Sequence, residues 1–243
     1  MHSTLPGGGA EWRKYYMLPI AGALGYATSV IHIYGIGPYL GPISESFGWS
    51  RTQTTLGMTI ATILQAVMSI PVGLAVDRYG PRRFGVIGVA LLCAAFAALG
   101  LADGTLTQWY ALWLVCSIAS LPVQATVWTS AVATRFHASR GMAFAVTLCG
   151  ASVATALFPL LGTWLIARHG WHQAFMWQGA LWAMLAFPLI ALFFRGARDG
   201  AIRGHGKAAV QEAPPEPGGV SLADGLRSSI FVRLLLVCLT FNI

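Results

Sequence analysis

The feature that most constrains this chain is a series of apolar stretches that contain no Asp, Glu, Lys or Arg. A helix needs about 20 residues, at about 1.5 Å per residue, to cross the hydrocarbon core of a bilayer. A seventh apolar stretch begins after Arg233 and reaches only residue 243. The pattern therefore predicts an all-α membrane protein with six complete spans and a truncated seventh helix. The six long stretches are 15–44, 52–76, 84–102, 104–134, 141–167 and 173–194.

The composition excludes a soluble domain. Charged residues make up 9% of the 243 residues and hydrophobic residues 56%, whereas a soluble domain carries about 25% charged residues. A net charge of +7 would favour nucleic acid as a partner of a soluble protein, but these basic residues lie between apolar stretches. We therefore expect the lipid bilayer as the partner and no nucleic acid. The four cysteines lie far apart within apolar stretches, which predicts packing roles, no metal site and no cofactor.

The distribution of Lys and Arg predicts the orientation of the chain. If the spans alternate, thirteen of the fifteen basic residues lie on one side, and only Arg51 and Arg168 lie on the other. Because cytoplasmic loops carry the excess of Lys and Arg, we expect the amino terminus to be cytoplasmic. The predicted segments are a cytoplasmic arm (1–14), a six-helix bundle (15–194), a cytoplasmic linker (195–227) and the start of helix 7 (228–243).

Two pairs of short motifs indicate an internal repeat. Phe47–Arg51 and Phe136–Arg140 both read F-x-x-S-R, and Arg78–Gly80 and Arg168–Gly170 both read R-x-G, at offsets of 89 and 90 residues. Helices 1–3 and 4–6 would then be copies. Because three is odd, the second copy enters the membrane from the opposite face, which gives the 3+3 inverted repeats of one large transporter fold. A chance match of short motifs is the alternative.

The most specific motif lies between helices 2 and 3 and reads G-x-x-x-D-R-x-G-x-R-R. Its residues are Gly73, Asp77, Arg78, Gly80, Arg82 and Arg83. This loop resembles the cytoplasmic loop of the major facilitator superfamily, and the helix count and central linker agree with that resemblance. The resemblance implies a transporter that works by alternating access, with this loop as a gating latch between two six-helix halves and Arg140 in the equivalent loop of the second repeat. A positively charged turn without a gating role is the alternative.

Three longer segments are similar to the monocarboxylate and oxalate/formate carriers of that superfamily: FGWSRTQTTLG, FHASRGMAFAVT and ALFPLLGTWLIARHGWHQAF. The similarity implies a small anionic solute and a bacterial inner membrane. The chain also departs from the family. Helix 1 lacks the lysine of monocarboxylate carriers and has Tyr34 near that place, helix 4 lacks an arginine, and the antiporter pattern is reduced to Gly150 and Pro159. A co-transported proton and antiport therefore both stay open.

Polar side chains within the spans are the candidates for a solute cavity. A transporter binds its solute near the midplane, between helices interrupted by Gly or Pro, and helix 1 is rich in both. His32 is the only histidine inside a predicted span. It is either a ligand for the solute or a proton, or a neutral imidazole bonded to a neighbouring helix. The other candidates are Tyr26, Tyr34, Gln65, Gln124, Trp128, Ser152 and Thr155.

Two groups of aromatic residues are of the kind found at membrane interfaces. Trp109, Tyr110 and Trp113, like Trp171 and Trp177, are expected to form belts at the membrane interface.

A truncated or non-transporting half-carrier that associates with a second six-helix half is an alternative function. An intramembrane enzyme is a remote one, since the sequence has no HExxH, no GxSxG and no paired intramembrane carboxylates.

Overall fold

The computed structural model describes residues 8–195, Ser228, Ser229 and Arg233, and gives only the backbone of Asp77. The chain divides into two units, Met1–Ile202 and Arg203–Ile243, and residues 8–195 belong to the first. The predicted linker and the predicted start of helix 7 lie almost entirely outside the described residues.

Residues 8–195 are built from α-helices joined by short turns, and this part of the chain contains no β-strand. The all-α prediction is therefore confirmed. Three 3-10 turns lie at Gly37–Tyr39, Leu99–Leu101 and Leu121–Val123. The helices are α1 (Gly8–Tyr15), α2 (Met17–Ser29), α3 (Ile31–Tyr34), α4 (Leu40–Phe47), α5 (Arg51–Tyr79), α6 (Pro81–Ala98), α7 (Leu106–Ser120), α8 (Ala125–Ala133) and α9 (Arg140–Phe193).

Judged by length and composition, these helices form six candidate membrane spans once α9 is divided at Gly170, and we call them spans 1 to 6. Span 1 contains α2 to α4 and bends by 41°, span 2 is α5, span 3 is α6, and span 4 contains α7 and α8. The 54 residues of α9 would extend about 80 Å as one helix, far more than a bilayer core. At Gly170 the backbone is non-helical, with φ 74° and ψ 163°, so α9 divides there into spans 5 and 6.

The two predicted repeats share two backbone features. Gly80 (φ 88°, ψ 141°) and Gly170 form the same kind of turn, in a region that only glycine adopts readily, and each ends an R-x-G motif. The first span of each repeat is also broken near its middle. Span 1 breaks at Val30 (φ −100°, ψ 0°) and span 4 at the turn Leu121–Val123. This correspondence agrees with the predicted 3+3 architecture.

The repeated F-x-x-S-R motif starts a helix in both copies. In the first copy, the Ser50 hydroxyl accepts the N–H of Gln53 at 3.3 Å, and Gln53 Oε1 accepts the N–H of Ser50 at 2.8 Å. This is a capping box. In the second copy, the N–H and hydroxyl of Ser139 donate to the carboxylate of Glu11 at 3.1 and 2.9 Å. The same motif therefore starts spans 2 and 5 with different partners.

The helix α1, within the predicted arm, is attached to the loop before span 5 by Glu11. This side chain is buried, and its carboxylate also accepts the N–H groups of His137 and Ala138 at 3.1 and 3.0 Å. Burial alone would raise the pKa of Glu11, but these hydrogen bonds outweigh it and lower the pKa to about 2. The rings of Trp12 and Tyr15 pack against Phe136 beside this contact.

Large aromatic rings of span 4 fill the centre of the bundle. Trp113 and Trp128 are fully buried. A Cβ added at Gly57 would overlap the ring of Trp113, and a Cβ added at Gly25 or Gly85 would overlap the ring of Trp128. Small residues let membrane helices approach closely, and here they create the space for the two indoles.

The predicted interface belt on span 4 is therefore wrong for its two tryptophans. Trp109 is also fully buried, and its Nε1 donates to the carbonyl of Thr54 on span 2 at 3.2 Å. Trp171 is buried as well, whereas Trp177 is 49% exposed, as an interface residue would be.

Candidate solute-binding cleft

A cleft opens between spans 1, 2 and 4, beside the breaks in spans 1 and 4. Its volume is about 390 Å³, which lies within the range of small-molecule sites. Transporters bind their solutes where discontinuous helices meet, so the cleft has the expected location. Its polar lining consists of Tyr26 and Ser29 of span 1, Thr62 and Gln65 of span 2, and Ser120 and Gln124 of span 4.

The local sequence explains both breaks. In span 1, the hydroxyls of Thr28 and Ser29 donate to the carbonyls of the preceding turn at 2.8 and 2.7 Å. Such bonds compete with the helical ladder and bend helices. In span 4, Pro122 removes a backbone donor, and Gln124 is extended (φ −61°, ψ 158°) before α8 begins. Side chains at the two breaks can therefore face the cleft from both repeats.

Gln65 joins three spans behind the wall of the cleft. Its Nε2 lies 3.1 Å from Nε2 of His32 on span 1 and 2.8 Å from the hydroxyl of Ser120 on span 4. Since an amide nitrogen only donates, His32 Nε2 accepts in this arrangement and the imidazole proton lies on Nδ1. The Ser120 hydroxyl donates onward to the carbonyl of Ser117 at 2.7 Å. His32 is fully buried. Its bond to Gln65 joins spans 1 and 2, as expected of a neutral imidazole bonded to a neighbouring helix.

Two buried nitrogens at this site have no hydrogen-bond partner among the described residues. They are Nδ1 of His32 and Nε2 of Gln124. A buried polar group without a partner costs about 1–3 kcal/mol, so each nitrogen favours the arrival of a polar atom. Gln124 lines the cleft, and an oxygen of a bound molecule beside its amide would complete the missing hydrogen bond.

The wall of the cleft carries no formal charge. Its lining contains no Asp, Glu, Lys or Arg, and within the described part of the chain no cluster of His, Cys, Asp or Glu could hold a metal ion. Recognition there must use neutral hydrogen bonds, the ring of Tyr26 and apolar contact. Such a surface suits a small organic molecule with both polar and apolar parts.

The structure brings together three of the predicted cavity residues, Tyr26, Gln65 and Gln124, with His32 directly behind them. The other four lie elsewhere. Trp128 is in the core and donates from Nε1 to the Val123 carbonyl at 2.8 Å. Tyr34 lies outside the lining and is 47% exposed. Ser152 and Thr155 are on the exposed face of span 5.

Three polar residues of the lining, Ser29, Thr62 and Ser120, were not among the predicted cavity residues. Thr62 lies one helical turn before Gln65 and therefore on the same face of span 2. Ser120 directly precedes the Leu-Pro pair that breaks span 4. The proline within an apolar span was thus the signal that could have located the second wall of the cleft.

The predicted gating loop forms the turn between spans 2 and 3. Gly80 supplies the positive φ, and Pro81 begins α6 at the position where proline is best tolerated. The Nη2 of Arg82 donates to the carbonyl of Ala191 near the end of span 6 at 2.8 Å. This arginine therefore ties the loop to another span of the same bundle, a contact that the motif alone did not predict.

Two other arginines of the loop face outward. Arg78 and Arg83 are exposed, as is Arg140 in the equivalent loop of the second repeat. A Cβ added at Gly73 would meet no atom of the described chain within 4 Å. No described span therefore packs closely against Gly73. The side chain of Asp77 lies outside the described residues.

Comparison with known proteins supplies the context for this geometry. The family model of the Major Facilitator Superfamily matches residues 22–243. The chain is 31% identical over 205 residues to the chloramphenicol resistance protein of Streptomyces lividans, covering 82% of this chain and 48% of that protein. It is 27% identical over 149 residues to the multidrug resistance protein MdtH of Yersinia enterocolitica, covering 58% of this chain and 35% of that protein. The chain thus spans less than half the length of these curated relatives.

Proposed function

The chain belongs to the major facilitator superfamily, and on that premise we propose that its six spans form the amino-terminal half of a transporter for a small organic solute. The observation that carries this proposal is the cleft at the two broken spans, with the amide of Gln124 lacking a partner among the described residues. Alternating access moves a solute between the two membrane faces around a site at the midplane. The second half would close the open side of this cleft.

The proposed solute is an uncharged or weakly charged molecule that offers acceptor oxygens. The uncharged wall gives no ion-pair partner to a strongly charged solute, and Gln124 needs an acceptor. The names of the two relatives, chloramphenicol resistance and multidrug resistance, favour export of drug-like molecules. We therefore place drug export first.

A small monocarboxylate is the second candidate, and His32 is the observation that favours it. This imidazole lies directly behind the cleft and is bonded to one of its lining residues. A protonated imidazole would provide the positive charge that a carboxylate requires and that the lining itself lacks.

The proposed orientation places the amino terminus in the cytoplasm, with the inner membrane of a bacterium as the location. The asymmetry of Lys and Arg supports this orientation. The bacterial relatives support the location.

The experiment compares a deletion of the gene in its host with complementation by the wild-type gene or by single variants. Gln124→Leu removes the amide from the cleft, and Gln173→Leu makes the same change at an exposed position of span 6. Loss of one hydrogen bond costs about 1.5 kcal/mol, or roughly tenfold in affinity. We expect Gln124→Leu alone to weaken transport of the responsive solute about tenfold, tested with chloramphenicol export and lactate uptake. Equal transport by both variants and the wild type would remove the cleft as the binding site.

A further inference from the structure

We propose that His32 is the proton site of this cleft, and that protonation of its imidazole turns the side-chain amide of Gln65 and converts the wall from a hydrogen-bond acceptor into a donor. The proposal rests on the cleft being the solute site. According to this proposal, the solute must offer an acceptor oxygen, and one proton binds with each solute molecule.

The starting state is the hydrogen-bond arrangement of the structure. Both N–H bonds of the Gln65 amide are committed to the protein, one to His32 Nε2 and one to the Ser120 hydroxyl. The Ser120 hydrogen is committed to the Ser117 carbonyl. The amide oxygen of Gln65 is therefore the group left for the cleft, which Gln65 lines. With neutral His32, this part of the wall is an acceptor.

Addition of one proton from solvent makes this arrangement impossible. An imidazolium carries hydrogen on both ring nitrogens and has no acceptor, so His32 Nε2–H would point at the amide N–H bonds of Gln65 over a distance of 3.1 Å. Rotation of the amide by half a turn brings Oε1 to His32, where it accepts a charge-assisted bond. The Ser120 hydroxyl then turns its hydrogen from the Ser117 carbonyl to Oε1. The same rotation turns the amide N–H bonds of Gln65 toward the cleft, where the Gln124 amide already offers a donor.

The surroundings of His32 make its proton dependent on the solute. Its helix α3 packs against α2 and α9, and His32 reaches α5 through Gln65, which is bonded in turn to Ser120 of α7. The Lys, Arg, Asp and Glu residues of these helices occur near helix ends or at the Gly170 turn. An imidazolium without a counter-ion is costly in such a place, and an acceptor oxygen in the cleft reduces that cost. The titratable or charged residues on these helices are Tyr26, Arg51, Asp77, Arg78, Tyr79, Tyr110, Cys116, Arg140, Cys149, Arg168, His169 and His172.

Linkage then fixes the direction of coupling. If the protonated state binds an acceptor-bearing solute better, the bound solute must raise the proton affinity of His32 by the same factor. A carboxylate gains most, because it accepts from two donors and also faces the imidazolium. The proton and the solute therefore bind together, which is the coupling of an uptake symporter and applies to the monocarboxylate candidate rather than to drug export.

The test uses the chain 1–243 in lipid nanodiscs, with ¹⁵N-labelled histidine and glutamine side chains, titrated from about pH 3 to pH 9 so that a buried imidazole is also covered. The imidazole of His32 and the amide of Gln65 should change their shifts with one shared midpoint. His32→Gln should abolish the pH dependence of the Gln65 amide, whereas His172→Gln, at an exposed histidine, should leave it intact. A titrating His32 beside a pH-invariant Gln65 amide would overturn the switch.

A second variant keeps the test independent of folding defects in His32→Gln. Gln65→Glu presents His32 with an acceptor at all times, so it should hold the proton to a pH at least about one unit higher than the wild type. An unchanged midpoint in Gln65→Glu would contradict the proposed pairing.

Lactate serves as the acceptor probe of coupling. Its affinity should rise about tenfold per unit fall in pH above the midpoint of His32, and His32→Gln should remove that slope. Lactate binding that is equal at all pH values in both proteins would overturn the proton switch and leave the cleft as a solute site. A concerted titration of His32 and Gln65, together with transport in the host that Gln124→Leu leaves unchanged, would support the switch and count against the cleft as the solute site.

Discussion

Replacement of Glu11 by Gln tests how firmly α1 is held to the loop before span 5. The carboxylate accepts three backbone N–H bonds and one hydroxyl bond, at 2.9–3.1 Å. An amide has a single oxygen, and its N–H bonds would face backbone donors, so at least one backbone N–H loses its partner. A hydrogen bond to a charged group is worth about 1.5–3 kcal/mol. We therefore expect a loss of about 2 kcal/mol in the local opening free energy, or roughly 30-fold.

The assay is amide hydrogen exchange at His137, Ala138 and Ser139 in nanodiscs at neutral pH. Glu11→Gln should speed exchange there about 30-fold, and Glu45→Gln, at an exposed carboxylate of α4, should not change it. The pKa of Glu11 falls from 4.5 to about 2 on folding. Its contribution is therefore complete above about pH 4.5 and is lost as the pH falls toward 2. Unchanged exchange in Glu11→Gln would refute this account of the contact.

Three further predictions concern packing, backbone and topology. Gly25→Ala would drive a Cβ into the buried indole of Trp128 and should destabilise the bundle by about 1–3 kcal/mol, measured by thermal unfolding in detergent. The control Gly41→Ala places its Cβ in open space and should not destabilise the bundle. Gly170→Ala places a side chain at φ 74° and should cost about 1–2 kcal/mol in the same assay. Reporter fusions at residues 104 and 205 should report opposite sides of the membrane, with 205 cytoplasmic, and equal signals would refute the topology.

The long apolar stretches of the sequence correspond to long apolar helices in the structure, because a bilayer imposes a length on its spans and disfavours charge within them. The division of α9 illustrates the strength of this rule. Its helix continues through 54 residues apart from Gly170, yet Arg168 and the R-x-G motif marked the boundary between two spans in the sequence. Charge and repeat position thus located a turn that helical periodicity alone does not separate.

The predicted interface belt on span 4 was wrong for Trp109 and Trp113, because the apolar pattern of one helix does not identify the helix that packs against it. Trp113 reads equally well as an interface or a core residue, since both positions bury a large ring. The deciding residue is Gly57 on another span, whose missing Cβ leaves the space. A pair of this kind is separated by tens of residues, and only the packed structure joins it.

The cleft shows the same division between local and distant information. Local chemistry explains the breaks, through Thr28 and Ser29 in span 1 and Pro122 in span 4, and a transporter site was expected between interrupted helices. The partner of His32 was not predictable, because Gln65 reaches it from a different span and also holds Ser120 of a third. Because the Gln65 amide is bonded to both His32 and Ser120, its rotation changes the hydrogen bonds of the whole wall. A glutamine bonded to His32 alone could turn without changing the rest of the wall, whereas Gln65 exchanges a bond to the protein for a bond to the solute.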